Sequence, residues 1–160
     1  MVAGERETLA GWLDFYRATL AQKCAGLADA QLRTVAVPPS SLTLLGLVQH
    51  MAEVERNWFR RILADEHAPP IYSAGKNADG HDGGFDITDG SSYADAEKTW
   101  TQEVEQARAN CAGRALDDTC PFAGGEVTLR WIYVHMISEY ARHCGHADLI
   151  RERIDGTTGA

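Results

Sequence analysis

Hydrophobic side chains recur every three or four residues along most of the chain, which is the spacing of amphipathic helices. A first helix is predicted from about Glu5 to Leu27. The two prolines that follow cannot lie inside a helix. A second helix is therefore predicted to begin at Ser40 or Ser41, either of which can cap it, and to end near Asp65.

A third helix is predicted to begin at Ser92, and a fourth to run from about Thr128 to Ile154, where Gly156 is well placed to end it. Residues 66–90, rich in Gly, Pro and Asp, predict a long loop between the second and third helices. Loops of this length in compact domains are often functional. Because alternation with period two is nowhere sustained, the pattern predicts an all-α protein, a four-helix bundle.

The composition fits one globular domain over residues 1–160, since 44% of the residues are hydrophobic and 24% are charged. The formal charge of −8 repels phosphate backbones and anionic lipids. No apolar run approaches the roughly 20 residues of a membrane span, and the charged N-terminus lacks the apolar core of a signal peptide. We therefore expect a cytoplasmic protein that binds neither nucleic acid nor membrane.

The four cysteines fit neither a disulfide framework nor a zinc motif, because no C-x-x-C sequence occurs. Without an export signal, their thiols are expected to be reduced. Cys144 falls on the side of the fourth helix that points away from its histidines. This position argues against a catalytic thiol at Cys144.

Polar residues interrupt the inward face of the fourth helix. An ionised glutamate among apolar side chains is unfavourable unless it is paired or binds a metal. Glu139 and His143 are four residues apart, which places their side chains on adjacent turns of one face. The polar residues that share this face with apolar neighbours are His135, Glu139, His143 and His146.

The second helix places a further histidine, His50, on its inward stripe. Glu53, which follows on the same helix, is expected to be solvated. Two interpretations of the inward polar groups remain open at this point. They are either hydrogen-bonded core residues or ligands of a metal ion held between facing helices. The zinc-protease motif H-E-x-x-H is absent.

Three long segments carry a resemblance to a known family: GWLDFYRATLAQKCAGL, SLTLLGLVQHMAEVERNWF and TLRWIYVHMISEYARHCGHADLIRERIDG. On these segments the chain is identified as a member of the DinB superfamily, in the actinobacterial branch that was long labelled a domain of unknown function and that resembles mycothiol-dependent S-transferases. The resemblance implies a four-helix bundle with a divalent metal, held by one ligand on the second helix and two on the fourth. Many relatives use three histidines, whereas the mycothiol-dependent maleylpyruvate isomerase branch uses His, Glu and His, with the last two as E-x-x-x-H.

The His, Glu and His arrangement matches His50, Glu139 and His143 of this chain. His146 is a competing ligand, because H-x-x-H also places two imidazoles on one face. The family spacing favours the Glu139–His143 pair and gives His146 a role in orienting a ligand or the substrate. His135 lies one turn before Glu139, where it either hydrogen-bonds Glu139 or has a plain structural role.

Two imidazoles and one carboxylate suit zinc best, although nickel, iron and manganese are also accepted by such a set. Three protein ligands leave an open coordination position, which is typical of catalytic zinc sites. Such a site activates either water, as in a hydrolase, or a coordinated thiol. The residues alone do not choose between these two reactions.

The resemblance favours the thiol. It implies a metal-dependent S-transferase that joins a low-molecular-weight thiol, here mycothiol as co-substrate, to an electrophilic small molecule. Trp58 and Trp131 are candidates for an apolar wall beside the electrophile, with core packing as the alternative role. Arg142 and residues of the long loop are the candidate contacts for the sugar part of the thiol.

Two other function classes remain as alternatives. One is a metal-dependent hydrolase that activates water and needs no thiol. The other is a non-catalytic, stress-induced bundle that binds or stores metal. Relatives often form dimers, so the resemblance is compatible with a homodimer.

Overall fold

The computed structural model describes residues 3–72 and 83–159, and most of these residues are helical. The predicted loop over residues 66–90 therefore lies partly outside the described residues. None of the described helices combines the length and the apolar character that crossing a membrane requires. The elements in chain order are α1 (Glu5–Cys24), α2 (Asp29–Leu32), α3 (Leu44–Glu55), a π-helical segment (Arg56–Ile62), α4 (Tyr93–Cys111), β1 (Thr119–Phe122), β2 (Gly125–Thr128) and α5 (Leu129–Asp155).

Side-chain caps set the starts of three long helices. The hydroxyl oxygens of Thr43, Ser92 and Thr128 accept hydrogen bonds from backbone N–H groups in the first turns of α3, α4 and α5. The starts predicted at Ser92 and Thr128 are thus confirmed as caps, whereas the predicted cap at Ser40 or Ser41 is wrong. Those serines precede Thr43, which caps α3 instead.

The π-helical segment continues α3 directly, within the span predicted as one uninterrupted second helix. The N–H of Leu63 donates to the carbonyl of Trp58, five residues earlier, at 3.0 Å. This wider turn holds one more residue than an α-helical turn and therefore changes which side chains face the neighbouring elements. Such π-helical turns are frequent at functional sites.

A short antiparallel hairpin joins α4 to α5 and adds two strands to a structure that is mostly helical, so the prediction of an all-α protein is confirmed only in part. Its strands pair Thr119 with Thr128 and Phe122 with Gly125. The two residues between the strands, Ala123 and Gly124, have positive φ angles of 50° and 80°, which is the conformation of a tight hairpin turn. Strands of four residues are too short to show a period-two pattern.

The long helices pack in pairs whose directions follow from their contacts. Arg130 pairs with Glu5 at one end of α1 and α5, and Arg151 donates to the Lys23 carbonyl near the other, so these two helices are parallel. His50 contacts His143, while Trp58 contacts His135. The α3 helix and its π-helical continuation are therefore antiparallel to α5.

A buried hydrogen-bonded network joins α1, α3, α4 and α5 around Glu55 of α3, which has no solvent exposure. Arg17 of α1 donates to both carboxylate oxygens of Glu55 at 2.8 Å. The hydroxyl of Tyr140 on α5 donates to Glu55 at 2.6 Å and accepts from the indole of Trp100 on α4 at 2.7 Å. Burial, followed by the charge of Glu55, raises the pKa of Tyr140 well above its ordinary value, so the phenol keeps its proton and remains a donor.

We expect Glu55→Ala to lower the free energy of unfolding by about 3–5 kcal/mol, because it leaves the Arg17 guanidinium buried without its carboxylate. Urea denaturation followed by circular dichroism measures the change. The matched control is Arg108→Ala, which removes an exposed ion pair with Asp14 and should cost less than about 1 kcal/mol. Equal effects of the two substitutions would contradict a central role for the network.

Candidate metal centre

His50 of α3 converges with Glu139 and His143 of α5 at one point. One ligand-type atom from each residue lies within 4.8 Å of the others. Nε2 of His143 is 3.6 Å from Oε2 of Glu139, and the rings of His50 and His143 have centroids 4.7 Å apart. The structure thus brings together the three residues that the resemblance implied as metal ligands.

Gly83 and Phe85 hold the His50 ring in position. Its Nδ1 lies 3.0 Å from the carbonyl oxygen of Gly83, which can only accept, so Nδ1 carries the proton. This tautomer leaves the lone pair on Nε2, the atom type that binds metals. Phe85 stacks on the same ring at 3.9 Å with an interplanar angle of 18°.

Gly84 allows this chain segment to approach α3. Its φ of +101° is unfavourable for other residues, and a Cβ atom there would lie 2.6 Å from the backbone nitrogen of His50. A side chain would therefore push the Gly83 carbonyl away from the imidazole that it orients. Gly84 is therefore required for the orientation of His50 as well as for the backbone conformation of its own segment.

His143 is buried and is held by a second imidazole. Its Nδ1 lies 3.4 Å from Nδ1 of His146, so one ring donates to the other. Burial lowers the pKa of His143 to about 3, and the neighbouring His50, His146 and Arg142 act in the same direction. The ring is thus neutral at neutral pH, as a metal ligand must be.

Glu139 is half-buried between two basic neighbours. Its Oε1 lies 3.6 Å from Arg142, whose side chain is largely exposed, and 4.0 Å from Nε2 of His135. The latter distance is too long for a hydrogen bond. His135 instead stacks on Trp131, with centroids 5.0 Å apart and an interplanar angle of 6°. Burial lowers the pKa of His135, so its ring is also neutral at neutral pH.

The donor set and its spacing fit a divalent metal. Two imidazole nitrogens and one carboxylate oxygen form a ligand set found in catalytic zinc sites. Ligand atoms bonded to tetrahedral zinc at about 2.0 Å lie about 3.3 Å apart, and the His143–Glu139 pair is already at 3.6 Å. His146 is not a member of the converging group, and its contact with His143 suits an orienting role.

A cavity of about 700 Å³ opens beside His50 and Glu139. Trp58 and His135 line it, and so do three residues at the tip of the hairpin, Pro121, Phe122 and Ala123. Trp58 is 5.1 Å from Phe122 and 5.4 Å from Trp131, measured between ring centroids. We call these four packed rings the aromatic wall: Trp58, Phe122, Trp131 and His135.

Sequence reasoning anticipated only part of this wall. Trp58 does line the cavity, whereas Trp131 packs against Trp58, Phe122 and His135 and is 43% exposed. Phe122 was missed, because its sequence neighbourhood reads as a turn. The two glycines that follow it were the one available signal of a hairpin.

Glu53 and Cys144 lie outside the converging group. Glu53, expected to be solvated, is 1% exposed. It accepts hydrogen bonds from Arg61 at 2.9 Å and from the backbone N–H of Ile71 at 2.7 Å.

The thiol of Cys144 is directed to the Tyr16 carbonyl, and burial raises the pKa of Cys144 to about 11. An inert thiol at Cys144 agrees with the sequence analysis.

Comparison with protein families matches residues 8–156 to the family described as mycothiol-S-transferase. Because the match covers most of the chain, the chain belongs to this family. The resemblance inferred from the sequence is therefore confirmed. No protein of curated function matches the chain.

We expect Gly84→Ala to weaken zinc binding by about tenfold or more, because the Gly83 carbonyl can no longer orient His50. Competition with a chromogenic zinc chelator measures the affinity. The matched control is Gly145→Ala on α5, where a Cβ atom meets nothing within 4 Å. The control should keep its zinc affinity and gain about 0.5–1 kcal/mol of stability. Unchanged zinc binding in Gly84→Ala would contradict the orienting role of the Gly83 carbonyl.

We expect the metal-free protein to become less stable as the pH falls from about 6.5 towards about 3. In this window the unfolded chain binds a proton at His143 while the folded chain does not, because the folded-state pKa is about 3. Urea denaturation across this range should give a shallower pH dependence for His143→Gln. The control His67→Gln alters an exposed histidine outside the converging group and should retain the wild-type slope; equal slopes in all three proteins would refute the assignment.

Proposed function

We propose that this chain is a metal-dependent S-transferase that joins mycothiol to an electrophilic small molecule. The observation that carries the proposal is the convergence of His50, Glu139 and His143 beside a cavity of about 700 Å³, in a chain of the mycothiol S-transferase family. The proposal includes a four-helix bundle, formed by α1, α3 with its π-helical continuation, α4 and α5.

His50 and His143 would bind a divalent metal through Nε2, and Glu139 through its carboxylate. Zinc suits this set best, although nickel, iron and manganese are compatible with it. When bound, the metal supplies one effect that the side chains lack, which is to lower the pKa of a coordinated thiol so that the sulfur is a thiolate at neutral pH.

The other contributions come from the chain itself. The Gly83 carbonyl and His146 hold the two imidazoles in position before any substrate arrives, which limits the reorganisation needed on binding. Glu139 would contribute one negative charge, so that the site would be close to neutral overall if it held a divalent ion and a thiolate. The apolar side of the cavity displaces water from the reacting atoms and strengthens these electrostatic interactions.

Conjugation of this kind removes reactive electrophiles, so a role in detoxification follows from the proposed chemistry. Arg142 is a candidate contact for the polar body of mycothiol. Its side chain is 62% exposed and its guanidinium lies 3.6 Å from Glu139. A hydroxyl-rich ligand bound at Glu139 would come within reach of this donor.

We expect the purified protein to hold about one divalent metal per chain and His50→Ala to lose it, while circular dichroism shows that the helices persist. Mycothiol conjugation to monochlorobimane, followed by fluorescence, should fall more than about 100-fold in His50→Ala and in Glu139→Ala. The matched control is His67→Ala, at an exposed histidine outside the converging group, and it should retain metal and activity.

Other outcomes would replace the proposal. Turnover of an activated ester without any thiol, and none with mycothiol, would identify a hydrolase. Bound metal without either activity would indicate a storage or binding module. His146→Ala should retain the metal; if it loses the metal while Glu139→Ala keeps it, the ligand set is wrong.

A further inference from the structure

The cavity beside the candidate metal ligands has one conspicuously aromatic side. Trp58 comes from the π-helical segment, Phe122 from the hairpin and His135 from α5, and Trp131 of α5 packs against all three. Three separate elements therefore supply rings to one surface, and two of these elements interrupt the regular helical pattern. Packing of a helical core does not require such an arrangement, because Trp58 and Phe122 face the cavity as well as each other.

The ring of Trp58 is inclined to two of its neighbours in the aromatic wall. Trp58 is inclined by 44° to Phe122 and by 49° to His135, whose centroids lie 5.1 Å and 4.2 Å away. Rings inclined in this way do not cover one another face to face, and both Trp58 and Phe122 line the cavity. A planar ligand can stack on such faces, whereas a bulky aliphatic ligand contacts them less completely.

The charges around the cavity disfavour an ionic ligand. Among the described residues that line the cavity there is no lysine or arginine, and Glu139 is the only acidic residue. Glu139 already belongs to the converging group and lies near Arg142. An anionic ligand would meet the Glu139 carboxylate and no cationic side chain of the lining, and a cationic ligand would find no second carboxylate, so either charge would be desolvated without compensation from the lining side chains.

We propose that the electrophile is an uncharged, planar, conjugated molecule that stacks against Trp58 and Phe122. This inference rests on the proposed function, since it names the substrate class of the same site. Its size also fits, because a cavity of about 700 Å³ is within the range of small-molecule sites and leaves room for a thiol beside a two-ring electrophile.

The reaction for a substrate of this class that carries a halide leaving group is a substitution. An electron pair of the thiol sulfur forms the new carbon–sulfur bond, and the carbon–halogen bond breaks. The halide leaves with the bonding pair, and the thiol proton passes to solvent. No oxidant or reductant is needed, and stacking on the wall orients the electrophilic carbon towards the sulfur.

Phe122 is the specificity-determining residue in this proposal. It lies next to the turn formed by Ala123 and Gly124, and from this position on the hairpin its ring lines the cavity. Among the ring contacts of the described residues, Phe122 contacts Trp58 and Trp131 and none of the three candidate ligands. A substitution there changes the wall and leaves the converging group in place.

The test measures binding of unreactive probes to the metal-free protein by isothermal titration calorimetry, without thiol. The probes are 2-naphthalenemethanol, which is planar and neutral, 2-naphthoate, which is planar and anionic, and cyclohexanemethanol, which is neutral and not planar. We expect the neutral planar probe to bind at least about tenfold more tightly than either of the others. Phe122→Leu, which keeps an apolar side chain but removes the ring, should weaken it about three- to tenfold.

The matched control is Phe15→Leu, at a half-exposed phenylalanine on α1 outside the cavity, and it should leave all three affinities unchanged. Equal binding of 2-naphthoate would overturn the preference for uncharged ligands. Equal binding of cyclohexanemethanol, or no effect of Phe122→Leu, would overturn stacking on the wall.

A kinetic measurement separates this inference from the proposed function. With mycothiol and monochlorobimane, Phe122→Leu should raise KM for the electrophile about three- to tenfold and leave kcat within about twofold. An unchanged KM would contradict the wall as the electrophile site. Normal probe binding in a protein that lacks all transferase activity would refute the proposed function while leaving the wall as a binding site.

Discussion

The packing of the long helices depends on one buried carboxylate, that of Glu55. A carboxylate without solvent exposure is strongly unfavourable unless its lone pairs are satisfied, and the partners of Glu55 come from α1 and α5, with α4 joined through Tyr140. These bonds have short, directional geometry and therefore fix how far α3 can slide along α5. Because the two helices are antiparallel, the same register places His50 beside His143 and Trp58 beside His135. The network thus sets the geometry of a site to which it contributes no residue.

A second set of hydrogen bonds joins α3 to the chain segments on either side of residues 73–82. Glu53 accepts hydrogen bonds from the N–H groups of Ile71 and Tyr72 on one side. On the other side, the Gly83 carbonyl accepts from His50. Both chain segments are therefore hydrogen-bonded to α3, one to Glu53 and the other to His50. These residues are three positions apart, and His50 is a candidate metal ligand. The cost of burying Glu53 is offset by these bonds and by its ion pair with Arg61.

The sequence was informative where structure follows from local periodicity. The helices around His50 and His143 were predictable because apolar residues recur at helical spacing, and the polar residues on their inward faces stood out against that pattern. Glu53 was misjudged because its partners, Arg61 and the N–H of Ile71, lie eight and eighteen residues away. The hairpin was missed because four-residue strands show no alternation. The π-helical turn was missed because one extra residue barely disturbs a helical pattern.

The two irregular elements that local patterns could not predict both line the cavity, beside residues of α3 and α5. The π-helical segment contributes Trp58 and the hairpin contributes Phe122, whereas the candidate metal ligands lie on regular α-helices. Departures from local regularity are expected where function, and not folding, determines the sequence. Thiol activation would then depend on helices whose register Glu55 fixes, and electrophile selection on a short hairpin that this network does not touch. Such a division allows the selectivity of the cavity to change by substitution at Phe122 while the geometry of His50, Glu139 and His143 is retained.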